Sequence, residues 1–426
     1  MTVTRSEGNT ANNSAIYFDA TKIPNNDIAL DIALNSWKLN SLGCDNLPSS
    51  TKSESRCIEI DGIDYAVGRY NIQQSINCDI PNMPLFHAAP IFAKYVTYDT
   101  AAPSLNLLQN DGKDQTDWKD GLKSWRVSLT SSDEIRMCTI SEVITVASGI
   151  TTGGDAFYIY SNQVERLPNP DIEKVVSLEF IERLQLDRNL RKRVVMSGVK
   201  PDDDNSRTLI PYDKPTRMVE GSLLMFKKDQ PAYYIDWSEK NVRDLRNNTI
   251  ADNRRRNNPE FIGTNSENSK KAAQVRSDQY YFKRGLCYSQ YGERSPQYWF
   301  SHGGIFSKEA CLIIPNNDKL ELNTVLGYLS SHVSRFFVKA FFGNMSKTPV
   351  GALQNSPFPI DIQIESELLE KLILEVEENG IISENNELWQ NISRNIAFQM
   401  GMDSDMILEI FVWLRRTFMR PGGEWQ

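Results

Sequence analysis

The residues best suited to holding a ligand through their backbone are Ser148-Gly149-Ile150-Thr151-Thr152-Gly153-Gly154-Asp155. They run into the aromatic stretch Ala156-Phe157-Tyr158-Ile159-Tyr160, which reads as a strand. Three glycines and two threonines let backbone amides approach a ligand closely, with little side chain in the way. The same residues also suit a tight turn before a strand and nothing more.

A second group of residues points to nucleic acid by charge. The whole chain carries −8, yet Lys240 to Arg294 holds twelve Lys/Arg against six Asp/Glu, a local +6. Asp361 to Glu409 holds two against twelve, a local −10. Arg254-Arg255-Arg256, Lys270-Lys271, Arg276 and Lys283-Arg284 can track a phosphate backbone. Tyr280, Tyr281, Phe282, Tyr288 and Tyr291 interleave aromatics able to stack or reach groove edges. Arg294 and Gln297 have the side chains that read guanine and adenine bidentately. The competing reading of the segment is a solvated basic loop.

Other chemistry finds no support in the residues. There is no Walker loop, no G-x-S-x-G elbow and no H-E-x-x-H. Six scattered cysteines form no C-x-x-C pair, and with three histidines they suggest isolated buried thiols rather than a zinc site. Asp202-Asp203-Asp204 reads as a solvated acidic loop, since nothing nearby completes an oxygen cage for a cation. An amino-methyltransferase needs an Asp/Asn-Pro-Pro-aromatic loop to grip the flipped base. No adjacent prolines occur here; Asn258-Pro259-Glu260-Phe261 puts Glu260 where the second proline belongs. A Phe-x-Gly-x-Gly cofactor loop is missing too.

Three segments nevertheless recur in a familiar order. They are the glycine turn, Tyr280-Tyr281-Phe282-Lys283-Arg284-Gly285-Leu286-Cys287-Tyr288-Ser289, and Leu326-Gly327-Tyr328-Leu329-Ser330-Ser331-His332-Val333-Ser334-Arg335-Phe336-Phe337 with Leu353-Gln354-Asn355-Ser356-Pro357-Phe358-Pro359-Ile360 behind it. Together, over roughly Val143 to Ile360, they resemble the C-terminal target-recognition half of BREX-type and TaqI-like adenine-N6 DNA methyltransferases. The resemblance implies a recognition part without its catalytic domain. It would bind double-stranded DNA and act with a separate adenine-N6 methyltransferase subunit that binds S-adenosylmethionine. No catalytic residue, metal or cofactor is then expected in this chain. The expected DNA-contacting residues are Thr151, Thr152, Gly153, Lys227, Lys228, Arg254, Arg255, Arg256, Lys270, Lys271, Arg276, Lys283, Arg284, Tyr288, Arg294 and Lys347. The loop Gly343-Asn344-Met345-Ser346-Lys347-Thr348 departs from the Asn-Pro-Thr-type loop of the family. Two other readings stay open: the C-terminal part of a split methyltransferase, and a protein-interaction module of a defence complex that binds no DNA.

The elements that must position these residues suggest an α+β chain. Residues 1–14 read as a polar leader without a signal core, and 15–130 as a mixed α/β region. In the latter, Asn26 to Leu42 has helical spacing, and Asp61-Gly62 marks a hairpin within Cys57 to Val67. Residues 131–362 read as an α/β target-recognition domain. Ser177 should cap a helix running through Leu186 toward Val194, with Arg183, Arg188, Arg191, Lys192 and Arg193 near one side. Leu223 to Phe226 and Ala232 to Ile235 read as paired strands, Cys311 to Pro315 as another, and Asn323 to Phe342 as one long core helix that the resemblance puts under the recognition sheet. Residues 363–426 read as three short helices, a bundle or docking arm, whose acidity suits a protein partner. No apolar run reaches membrane-spanning length, and a cytoplasmic location is expected.

Overall fold

The computed structural model describes residues 14–19, 54–60, 63–73, 119, 122–127, 135–215, 222–223, 231–247, 273–290, 296–342, 348–379, 382–383 and 386–417. The expected helix at 26–42 and the leader up to residue 13 lie outside the described residues. Near the N-terminus, β1 (Ser14–Asp19), β2 (Glu54–Ile60) and β3 (Ile63–Gln73) form an antiparallel sheet in the order β1-β3-β2. Ile60 pairs with Ile63, the register expected of a hairpin at Asp61-Gly62, two residues that themselves lie outside the described ones.

The next strands are β4 (Ser124–Val127), β5 (Ile135–Thr139) and β6 (Ile144–Ala147), with α1 (Ile140–Val143) between the last two. After the glycine turn come α2 (Asp155–Tyr158) and β7 (Ile159–Tyr160). Helices α3 (Leu178–Leu186) and α4 (Arg188–Ser197) precede β8 (Leu209–Asp213), β9 (Ser222–Leu223), β10 (Tyr234–Asp236) and α5 (Glu239–Asn247). Strands β11 (Leu286–Ser289), β12 (Tyr298–Phe300), β13 (Ile305–Phe306) and β14 (Ala310–Pro315) lead into α6 (Leu322–Ser330), α7 (His332–Phe342), α8 (Val350–Gln354) and β15 (Pro357–Pro359). The chain then forms α9 (Ser366–Asn379), β16 (Ile382–Ser383), α10 (Glu387–Gln399) and α11 (Ser404–Thr417). Helices and antiparallel or mixed sheets coexist, so the fold class is α+β.

One sheet organises the rest. Strands β12-β11-β14-β6 are antiparallel and buried on both faces, and the two-residue period of a strand deals their side chains to two separate cores. Ile144, Val146, Leu286, Tyr288, Tyr298, Cys311 and Ile313 enter a first core with α6, α7 and the C-terminal helices. Their neighbours Ala147, Cys287, Trp299, Ala310 and Leu312 enter a second core with α3, α4, α5 and the β13-β8-β10-β7 sheet. The aliphatic and aromatic run of these strands is therefore continuous rather than alternating, because no face meets water.

Two expected helices are each broken by a capping side chain. The expected helix from Ser177 does start there: Ser177 Oγ accepts from Phe180 N at 3.1 Å. It stops at Asp187, whose Oδ1 accepts from Asn189 N at 2.8 Å and Leu190 N at 3.0 Å and so starts α4. The helix expected over Asn323 to Phe342 breaks at Ser331, which sits in extended backbone. Ser331 Oγ donates to Tyr328 O at 2.6 Å and accepts from Ser334 N at 3.2 Å, ending α6 and capping α7. Val325, Leu326, Tyr328 and Leu329 of α6 and Val333, Phe336, Phe337 and Val338 of α7 are in the first core, as their spacing indicates.

Of the strands expected to pair, Leu223–Phe226 and Ala232–Ile235, residues 224–226 lie outside the described residues, and the described parts take other partners. β9 pairs with β16, Leu223 opposite Ile382, while β10 lies between β8 and β7. The three C-terminal helices form as expected and are built into the first core. Trp389 Nε1 donates to Ser330 O at 3.1 Å, and the His332 ring lies 4.0 Å from Trp389 and 3.9 Å from Phe411.

Candidate nucleic-acid interface

The glycine turn is spent on the protein itself. Gly149 N donates to Ser307 O at 3.3 Å, Ile150 N to Phe306 O at 2.9 Å and Thr151 N to Gln274 O at 3.0 Å. Gly149 is required by close approach: a Cβ there would lie 1.9 Å from Phe306 O. These amides stitch the turn between two backbone segments instead of facing a ligand, so of the two readings of Gly149 to Asp155 the tight turn holds at Gly149 to Thr151. Thr152 is 4% exposed, and its Oγ1 donates to Asp155 Oδ1 at 2.5 Å and accepts from Gly154 N at 3.3 Å. That local bonding winds Asp155–Tyr158 into a turn of helix, where an unbroken strand is expected from the sequence. Gly153 forms the bend at φ 69° and is half-buried.

Beside the turn lies a small charged cluster. The Lys214 ammonium bonds to Asp155 Oδ2. Burial raises the Asp155 carboxyl, but the bonds from Lys214 and Thr152 and the nearby charges of Lys214 and Arg166 bring it below the ordinary carboxylate range.

The structure brings the basic segment to the turn at Gln274 and holds its other described cations elsewhere on the surface. Gln274 N donates to Thr151 O at 2.7 Å, so Thr151 neighbours the basic segment at Gln274. Arg276 is exposed, with its guanidinium on Gln274 Oε1. Lys283 Nζ sits 5.1 Å from the centre of the half-buried Tyr280 ring. Arg284 is exposed and its Nε donates to Gln185 Oε1 of α3 at 2.8 Å. Lys227, Lys228, Arg254, Arg255, Arg256, Lys270, Lys271, Arg294 and Lys347 lie outside the described residues.

Four expected surface residues are instead interior. Tyr288 is 0% exposed, with its hydroxyl donating to Thr348 O at 3.3 Å, so it packs the first core and offers no face to DNA. Tyr281 and Phe282 are equally buried; Tyr281 stands edge-on to Trp237 and Phe306 at 5.9 and 5.4 Å. Gln297, 1% exposed, sits at the start of β12 and reads no base. An aromatic cluster beside basic residues looks the same in sequence whether its rings face water or a neighbouring layer.

The acidic run is also corrected. Asp203 pairs with Arg193 of α4 and accepts from Lys200 N at 2.8 Å. Asp204 accepts from Ser177 N at 2.6 Å and Ser177 Oγ at 3.0 Å. It is a brace for the start of α3 rather than a solvated loop.

A buried carboxylate escaped the sequence reading. Asp213, at the end of β8, is fully buried. It accepts from Trp299 Nε1 at 3.1 Å, Ser301 Oγ at 2.7 Å and His302 Nδ1 at 2.7 Å. Burial raises its carboxyl, and the charge and bond of His302 with the bonds of Ser301 and Trp299 carry it below the ordinary range. Burial and the charge of Asp213 push the Cys287 thiol well up, so it is an inert partner. His302 Nε2 is itself buried without a hydrogen-bond partner, and so is not offered to a substrate in solvent. The group ties β8 to the chain after β12; no signal short of the fold links residues 213 and 302.

Among the described residues, no His, Cys, Asp and Glu cluster is arranged to hold a metal ion, and no helix is long and apolar enough to cross a membrane. No protein-family model matches the chain, and no curated protein matches it.

Proposed function

We propose that the chain is the DNA sequence-recognition (specificity) subunit of an adenine-N6 methyltransferase in a phage-defence or restriction-modification system. It positions a separate catalytic chain, which carries S-adenosylmethionine, on double-stranded DNA in the cytoplasm. The observation that carries this reading is charge segregation. A chain of −8 gathers +6 within Lys240 to Arg294 and −10 within Asp361 to Glu409. The first excess suits phosphate, and the second repels it and suits a protein partner. The exposed positions of Arg276 and Arg284 support the reading, as does the placing of Thr151 against Gln274. The lack of an Asp/Asn-Pro-Pro-aromatic loop gives the chemistry to the partner.

Affinity purification of the tagged chain from its host, with and without nuclease, tests this directly. An adenine methyltransferase that co-purifies and survives nuclease treatment is the expected result. Purification without any methyltransferase, together with duplex binding indifferent to salt, would sink the reading.

A further inference from the structure

Helices α4 and α5 carry seven Lys/Arg and two acidic residues, the densest basic pair of helices among the described residues. The structure divides these cations into two kinds. Three are internal fastenings. Arg191 donates to Leu184 O at 3.2 Å and Gln185 O at 2.8 Å, and Arg193 pairs with Asp203. Arg246 of α5 donates to Val195 O of α4 and to Asp278 Oδ2, both at 3.0 Å, and so locks the two helices together. The other four, Arg188, Lys192, Lys240 and Arg243, are exposed and make no ion pair or side-chain hydrogen bond with a described residue.

Their spacing is ordered. Arg188 and Lys192 are i and i+4 on α4, about 6 Å apart along the axis; Lys240 and Arg243 are i and i+3 on α5, about 4.5 Å apart. Each helix turns its apolar residues, Val194 and Val195 or Val242 and Leu245, into the second core, which sends these cations outward. A duplex strand presents one phosphate per about 3.4 Å of axis, a repeat on the same scale. Folded self-interest does not account for four unpaired cations here, since the fastening is done by the other three. Exposed Glu179 and Glu182 on the adjoining α3 confine the excess to α4 and α5.

Resting on the proposed DNA-binding role, we infer that the outer faces of α4 and α5 form the phosphate-contacting ridge, with Arg188, Lys192, Lys240 and Arg243 seated on the backbone of duplex DNA. The ridge supplies affinity without sequence preference, and base reading falls to other residues. Arg188 and Arg243 can each hold a phosphate bidentately, while the two lysines act as point charges.

The test uses the full chain and a labelled mixed-sequence DNA duplex followed by fluorescence anisotropy across a salt series. The variant R188E/K192E/K240E/R243E is compared with the control K319E/K371E, two exposed lysines away from the ridge. Neutral R188Q/K192Q/K240Q/R243Q guards against misfolding, and thermal melting by circular dichroism checks each protein. The expected result is a loss of about 100-fold for the reversed ridge at about 50 mM salt, and a log–log salt slope smaller by about 3, given about 0.9 for each phosphate neutralised. The glutamine variant should show the smaller slope with native melting, and the control should match the wild type. If the wild type binds and both ridge variants keep its affinity and slope, the ridge is overturned while DNA binding stands. If the wild type binds no duplex, the functional reading fails and takes the ridge with it.

Discussion

The two faces of the central sheet bury charges of opposite sign: the Arg335 guanidinium, 5.9 Å over the Trp389 ring, on one, and the Asp213 carboxylate on the other. In the first core, Tyr328 hydroxyl donates to Pro357 O at 2.6 Å and Trp389 Nε1 to Ser330 O at 3.1 Å. In the second, the Asp213 carboxylate is held by Trp299, Ser301 and His302. A neutral hydrogen bond contributes about 1 kcal/mol net, whereas a buried charge left without its partners costs about 3–5 kcal/mol. The first core therefore depends on the fit of its rings and neutral hydrogen bonds around one cation, and the second on keeping one carboxylate ionised. Both meet at β11 and β14, so damage to either is transmitted to the strands that support the other.

The largest expected effect comes from emptying the first core. Trp389→Ala removes a fully buried ring and the donor to Ser330 O, and should cost about 4 kcal/mol in urea unfolding. If the cores unfold as one unit, fluorescence and far-UV dichroism will report the same shifted midpoint. Separate midpoints would show that the sheet is a boundary rather than a bond.

Asp213→Asn should cost about 3 kcal/mol, because three donors lose an anionic acceptor in a dry site. Its acid behaviour sharpens the contrast. The folded carboxyl titrates below the ordinary aspartate value of about 3.9, so its contribution is complete above that pH and lost as pH falls through the folded value. Stability of the wild type should fall below about pH 4 more steeply than that of Asp213→Asn. Parallel acid limbs for the two proteins would remove Asp213 as the source.

The smallest effects test single hydrogen bonds. Tyr328→Phe should cost about 1 kcal/mol, leaving Pro357 O unpaired but the aromatic packing on Phe358 in place. Ser177→Ala should also cost about 1 kcal/mol by uncapping α3, and hydrogen exchange should rise first at Phe180. Exchange that rises equally throughout the second core would show that the cap holds more than its own helix.

Local signals were legible in the chain wherever one side chain acts on its own neighbourhood. Ser177 marks a helix start, Asp61-Gly62 a hairpin, and Pro315 the end of β14. Less legible were residues whose role depends on distant partners. Asp187 and Ser331 break apolar runs that look continuous, since a cap is visible only when its backbone turns. Tyr288 is a core residue because the helices of the first core cover its face of β11, which no spacing within 286–289 reveals. Among the expected interface residues, Arg276, Lys283 and Arg284 keep exposed or half-exposed charge. The exposed cations of α4 were visible only as a basic helix and those of α5 only within Lys240 to Arg294, because sequence does not separate Arg191 and Arg193 from Arg188 and Lys192.

The two-sided sheet also bears on how such a chain can change over generations. Inserting one residue within β11 would turn Leu286, Cys287 and Tyr288 about-face, sending the small thiol into the space of a tyrosine and the tyrosine onto Asp213. Both cores would fail at once. Changes of length should therefore be tolerated in the connections and not in the four strands, where only exchanges of matching size keep both cores filled.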